Sequence, residues 1–238
     1  MSRRIISAIL VAFLTMVGSP GLVKGQSIDS LLYLIDNDPD INDSEKYDLL
    51  CQVIEDITDT EIKIQYCDQA IELAQKLDIL PALPYLEKGL ACLDSDDLAM
   101  ALECFIQASS YYAQNEDDLK LGEAYLYMAE TYDLSEAFRE NEKLYLQKAI
   151  KIFKEKNDSI RLAFALHNLG YANYSMGQYD TALDVFTETL DLFRKLNKPY
   201  TARVYFTCLG NMGLVYSRMS DFDRAEEYLL PVSTLCLL

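Results

Sequence analysis

The chain contains no tryptophan, one histidine, nine glycines and six prolines among its 238 residues. So little glycine and proline gives too few turn signals for a strand-rich fold of this length and suits a mostly helical one. The single histidine, His167, excludes a multi-histidine metal site. Six cysteines, Cys51, Cys67, Cys92, Cys104, Cys208 and Cys236, include no C-x-x-C pair, so metal-ligand spacing is missing and no metal is expected. Basic charge is scarce as well, with 21 Lys and Arg against 38 Asp and Glu for a net charge of −17. A field of that sign repels phosphate backbones and anionic lipid, which argues against nucleic acid; it would favour basic peptides or simply keep the chain soluble.

Long apolar runs are missing too. The longest, Ile5 to Val17, follows Arg3 and Arg4 and falls short of the roughly 20 residues that a spanning helix needs. With Val23-Lys24-Gly25 offering a small residue before Gln26, residues 1–25 read as a cleavable secretory signal, so the chain is expected to be periplasmic or secreted. No cysteine stands near the cut, which argues against a lipid anchor, and the mature chain is expected to make no stable membrane insertion. Cleavage leaves 18 basic against 38 acidic residues, a net charge of −20. Export permits disulfides, but several cysteines fall in apolar helical patterns, where a small buried side chain is wanted, and free buried thiols are expected.

What is present is 50% hydrophobic residues, enough to bury a sizeable core. From Ser44 onward apolar helical segments alternate with short polar breaks, and no segment keeps a period of two, so the fold class is all-α. Asn42 with Glu45, and Thr58 with Glu61, have capping-box spacing ahead of apolar-periodic runs. Residues Ile28 to Ile35 are expected to form a leading helix, joined onward by the acidic stretch Asp36 to Asp43.

A spaced pattern then recurs: Gly170, Gly177, Tyr179, Ala182 and Phe186, followed by Gly213, Ser220, Phe222, Ala225 and Leu229. In both, a small residue precedes an alanine by twelve positions and a large apolar residue follows four later, as two closely crossing helices require. Gly89, Ala101 and Phe105 repeat the spacing, with Ala108 three further on. Ala129 and Tyr132 open another unit whose second helix is shifted by one, with Ala149 in place of position 148. Tyr112, Phe153 and Phe193 form a second series near the ends of second helices.

These residues resemble the tetratricopeptide repeat family, best at Leu169, Gly170, Gly177, Tyr179, Ala182 and Phe186. The match departs at Asn173 and Thr189, where the family has Tyr and Ala, and at Ser220, which replaces the glycine between helices. The separation of the small residues at 89, 129, 170 and 213 exceeds the family's usual period, so longer helices are expected, as in extended repeats of bacterial regulatory proteins. The resemblance implies a right-handed superhelix of antiparallel helix pairs, with units at 82–116, 121–156, 161–197 and 201–238, and a degenerate one at 44–78. The unit at 201–238 reads as truncated, because Pro231 and an apolar tail stand where a polar capping helix is expected.

The family's concave positions place Phe164, His167, Tyr171, Tyr174 and Ser175 in one unit, and Thr207, Leu214, Ser217 and Arg218 in the next. Glu123, Leu126, Glu130 and Asp133 take them in the unit before. An aromatic cluster beside an acidic strip suits a peptide with an apolar anchor and a basic flank, although the tyrosines are open to a second reading as packing residues between units. The resemblance implies a non-catalytic protein- or peptide-binding scaffold without cofactor. The alternative is the input region of an exported signalling protein of the kind found in Bacteroidetes, with a kinase, cyclase or DNA-binding output domain elsewhere.

Catalytic patterns are absent: there is no G-x-G-x-x-G, P-loop, G-x-S-x-G or H-E-x-x-H. His167 has no identifiable nucleophile or orienting partner. The run from Asp36 to Asn42 imitates a calcium loop but has Ile41 where the sharp-turn glycine belongs and Tyr47 in place of the twelfth-position glutamate. Asn-x-Ser sequons at Asn42, Asn157 and Asn173 carry little weight, the last falling within an expected helix.

Overall fold

The computed structural model describes residues 28–133, 139–196 and 202–235; the expected signal at 1–25 and Cys236 lie outside them. Among the described residues there are eleven helices and no strand. They are α1 (Ile28–Asn37), α2 (Asp43–Val53), α3 (Thr60–Leu77), α4 (Ala82–Asp94), α5 (Leu98–Gln114), α6 (Asp118–Asp133), α7 (Arg139–Glu155), α8 (Ser159–Ser175), α9 (Tyr179–Leu196), α10 (Ala202–Arg218) and α11 (Phe222–Leu235). Two compact units form, one ending at Thr131 and one beginning at Tyr132.

The turns explain where the helices stop and start. Asp96, Glu116, Asn157, Gly177 and Ser220 take the left-handed conformation, with φ of 63°, 58°, 57°, 74° and 63°. Each is followed by a residue whose N–H reaches back five positions: Asp97 to Cys92, Asp117 to Tyr112, Asp158 to Phe153, Gln178 to Asn173 and Asp221 to Tyr216. This is the Schellman closure, which satisfies the last carbonyls of one helix. Four of the five following residues then cap the next helix, Asp97, Asp117, Asp158 and Asp221 each accepting the N–H three residues on. Asn42 and Glu45 form the expected capping box. The second expected box is corrected by one residue: Asp59 rather than Thr58 is the cap, accepting from the Ile62 N–H at 3.0 Å, since its carboxylate is the stronger acceptor.

In the first unit, Leu31 and Ile35 of α1 join Leu50, Val53, Ile54 and Ile57 around α2, and Tyr66, Cys67, Ala70 and Leu73 of α3. Pairing of α4 with α5 depends on Gly89, where an added Cβ would lie 2.5 Å from the Phe105 ring. Phe105 stacks in turn on Tyr127 of α6 with centroids 5.4 Å apart. The degenerate pair α2–α3 packs through that cluster without a glycine facing an aromatic ring, and it carries a polar tie as well. There Lys63 of α3 donates to the Glu55 carbonyl at 3.3 Å and pairs with buried Glu87 of α4 at 3.0 Å, so one ammonium ties three successive segments. Burial raises the Glu87 pKa and Lys63 opposes that rise.

In the second unit, α8 packs against α7, α9 and α10. Nine of its 17 residues are buried, whereas α9 buries only Ala182, Phe186, Thr189, Leu190 and Phe193 along one stripe. At the α8–α9 crossing an added Cβ on Gly170 would come within 2.6 Å of Phe186, and on Gly213 within 2.6 Å of Leu229. Glu142 of α7 is buried and lies 3.9 Å from Arg139, seven residues before fully buried Ala149.

Candidate peptide-binding face

Toward the C-terminal end of α8 several side chains reach the surface. Tyr171, Tyr174 and Ser175 are half-buried there. Tyr171 and Tyr174 meet edge to face with centroids 5.7 Å apart, and Tyr174 lies 6.2 Å from Tyr179 of α9. From α10, Arg218 donates through Nε to the Tyr174 hydroxyl at 3.4 Å. Leu214 is 45% exposed one turn earlier on α10, and Ser217 is exposed beside it, while Thr207 is half-buried. The second unit therefore brings Tyr171, Tyr174 and Arg218 together at the C-terminal ends of two first helices, with Leu214 on the same stretch of α10.

Two expected members of this face are interior. Phe164 meets Phe193 at 6.0 Å in an edge-on contact, and His167 lies 5.9 Å from Phe186; both are 3% exposed or less. The reason is that α8 is enclosed by α7, α9 and α10, so positions that a more open array would present are covered by neighbouring helices. The acidic strip is corrected likewise. Glu123 is buried and paired with Lys120 at 3.1 Å, Leu126 is fully buried, and Glu130 is half-buried. The side chain of Asp133 lies outside the described residues. Burial disfavours the Lys120 ammonium, but Glu123 outweighs it and holds the lysine pKa above its ordinary value.

Tyr179 was legible only as a repeat position, yet it extends the aromatic row. A second open surface had no sequence signal at all: a groove of about 500 Å³ between α7 and α9, floored by Ile150, Leu166, Leu169 and Val185. Lys154 and Glu188 span it at 3.2 Å.

Chemically, the tyrosine face offers ring surfaces, hydroxyls and one guanidinium, which suits stacking and hydrogen bonding to a ligand. The thiols lie elsewhere and are weak nucleophiles, since burial pushes Cys104 up to about 12 and Cys51 up to about 11. Cys51, Cys67, Cys92, Cys104 and Cys208 are all free. Asp38 and Asn42 of the calcium-like run serve the turn before α2, accepting from the backbone N–H groups of Asp40, Ser44 and Glu45. Among the described residues no group of three or more His, Cys, Asp or Glu is placed to hold a metal ion, and no helix is long and apolar enough to cross a membrane.

The unit that carries this face also carries a family match. The tetratricopeptide repeat profile matches residues 145–195, which cover most of α7, all of α8 and nearly all of α9. This segment is a tetratricopeptide repeat. No curated protein sequence matches the chain. Among solved structures, BtubC from P. vanneervenii aligns with a TM-score of 0.72 at 19% identity, over 89% of this chain and 87% of that one. A signal transduction ATPase with a tetratricopeptide repeat sensor, from Pyrococcus horikoshii, aligns with a TM-score of 0.72 at 14% identity, over 87% of this chain and 33% of that one. A Rap protein solved in complex with competence and sporulation factor aligns at 0.56 and 17% identity, over 87% of this chain and 68% of that one. These likenesses establish the all-α tetratricopeptide-like fold. Tetratricopeptide scaffolds serve protein–protein interaction, and their pairs stack to bury a continuous core.

Proposed function

We propose that this chain is a non-catalytic scaffold that binds a protein or peptide segment outside the cytoplasm, with Tyr171, Tyr174 and Arg218 among its contacts. The observation that carries the reading is the half-exposed row Tyr171–Tyr174–Tyr179 within and beside the tetratricopeptide segment, with Arg218 hydrogen-bonded to its middle member. Rigid aromatic surface with a polar tip is what interface anchors are made of, and it costs little conformational entropy to use. Export rests on the sequence of residues 1–25, with its basic start and 13-residue apolar core. The Rap protein named above is a structural relative solved in complex with competence and sporulation factor, which supports a protein or peptide as the ligand class.

The test is direct. Peptides selected from a random library on the folded chain are titrated against the wild type and the Tyr171→Ala/Tyr174→Ala double variant. A loss of about tenfold or more is expected for two aromatic anchors. Unchanged affinity in a folded double variant would remove the site from this face.

A second reading is favoured by the likeness to the P. horikoshii protein, whose repeats are described as a sensor. In that reading the chain is the input region of a signalling protein, and ligand binding biases an output domain. It is tested by expressing the chain from its full genomic reading frame and asking whether a membrane span and output domain travel with it.

A further inference from the structure

Five arginine side chains are described, and four of them hold a carboxylate three residues away: Arg139 with Glu142, Arg161 with Asp158, Arg194 with Asp191 and Arg224 with Asp221. Arg218 does not. The acid three residues beyond it, Asp221, is engaged by Arg224 at 2.7 Å, and among the described residues Arg218 has no ion pair. Its hydrogen bond runs from Nε to the Tyr174 hydroxyl at 3.4 Å, and that bond, with Tyr179 nearby, holds the guanidinium pKa above its ordinary value. Tyr174 belongs to α8 and Tyr179 to α9, so the side chain is turned back over helices that precede its own. A guanidinium has five N–H donors. Nε uses one, and the four on Nη1 and Nη2 face outward from an exposed residue. That edge is the planar fork that matches the two oxygens of a carboxylate.

From this geometry we infer that the ligand of the tyrosine row presents a carboxylate to the free edge of Arg218, beside an apolar residue that lies on Tyr171 and Leu214. This assignment rests on the tyrosine row being the ligand face, and it names the charge which that face takes. The sign is opposite to the basic flank that the sequence suggested, and Glu123, an expected member of the matching acidic strip, is buried against Lys120. Tyr174 positions the guanidinium. Its ring is set 5.7 Å from Tyr171 and 6.2 Å from Tyr179, its oxygen accepts from Nε, and its own O–H proton remains to be donated to a ligand oxygen. Leu214, 45% exposed one turn before Arg218, supplies apolar surface on the same stretch of α10. The net charge of the chain does not oppose an acidic ligand here. Residues from Tyr132 onward carry 14 acidic and 13 basic side chains, and salt at physiological strength screens exposed charges beyond about 8 Å.

The probes are fluorescein-labelled linear peptides selected from a random library on the full chain. Each is made in three forms: as selected with a free C-terminus, with that terminus amidated, and with its Asp and Glu replaced by Asn and Gln. Affinity is read by fluorescence anisotropy on the wild type, on Arg218→Gln and on Tyr171→Ala/Tyr174→Ala, with a thermal melt to check each fold. Arg218 is exposed, so its replacement leaves the core intact. Expected is a loss of about tenfold or more on Arg218→Gln, matched on the wild type by the peptide form that lacks the bound carboxylate. That form should lose little more on Arg218→Gln, because the two changes remove one contact. Loss on amidation marks a terminal carboxylate as the source, and loss on Asn and Gln replacement marks a side chain. Peptides that weaken on the tyrosine double variant but not on Arg218→Gln overturn the carboxylate and leave the tyrosine face standing. Loss on Arg218→Gln with neither peptide change mattering overturns it as well. Failure to select any peptide, or binding indifferent to the tyrosine double variant, removes both.

Discussion

At Gly170 a methyl group would meet two carbons of the Phe186 ring at 2.6 and 2.7 Å, and the ring is fully buried with nowhere to turn. Gly170→Ala is therefore expected to cost about 1–3 kcal/mol by overpacking. Phe186→Ala opens a cavity and costs about 3–5 kcal/mol alone. In the double variant the alanine methyl no longer has a ring to strike, so urea melts should give a total well below the sum. A strictly additive result would mean that the two residues do not share one crossing. Lys63 is the other decisive residue. Lys63→Met leaves the Glu87 carboxylate buried without its ammonium, at a cost of about 3–5 kcal/mol near neutrality. Burial already raises the Glu87 pKa above its ordinary 4.5, and without Lys63 it rises further. A carboxyl whose folded pKa is raised contributes stability that is present below the unfolded value and lost as pH rises through the folded one. The variant should thus recover part of its loss as pH falls toward about 5, more steeply than the wild type, while Lys63→Met/Glu87→Gln should show no such recovery.

The helices themselves were largely readable, because a twelve-residue spacing of small residues followed by an aromatic can be satisfied by few arrangements other than crossing helices. Which faces stay open was not readable. Phe164 and His167 sit at positions that the family resemblance places on a concave surface, but their burial depends on how tightly α7, α9 and α10 close around α8. Lys63 was equally opaque, since a lysine at a crossing reads as a solvated residue until Glu87 and the Glu55 carbonyl are seen around it. Turn chemistry lies between these extremes. The sequence marks the breaks only as short and polar, whereas the structure makes Asp97, Asp117, Asp158 and Asp221 caps within them. Ser220 and Glu116 occupy left-handed positions at φ 63° and 58°, where a side chain is strained and glycine is not. Ser220→Gly and Glu116→Gly should each raise stability by about 0.5–1 kcal/mol in chemical denaturation, and Gly177→Ala should lower it by about as much.

Charge is divided unequally along the molecule. Residues up to Thr131 include 24 acidic and 8 basic side chains, and those from Tyr132 onward 14 and 13. Several lysines of the first unit are already committed to ion pairs, Lys63 with Glu87, Lys88 with Asp68 and Lys120 with Glu123. Self-repulsion should therefore destabilise the first unit at low ionic strength and affect the second little. Hydrogen exchange followed from about 10 mM to 500 mM sodium chloride should show protection rising in residues 28–131 and nearly constant in 139–235. Equal gains in both units would point to a general salting effect instead.

The position of His167 has a consequence for the environment in which the molecule can work. The chain's one imidazole is walled in against Phe186, at 2% exposure. Imidazole is the side chain whose ordinary titration falls between pH 5 and 8. With that ring enclosed, an imidazole switch in whatever this surface holds would have to be brought by the ligand, because the chain has none of its own to offer.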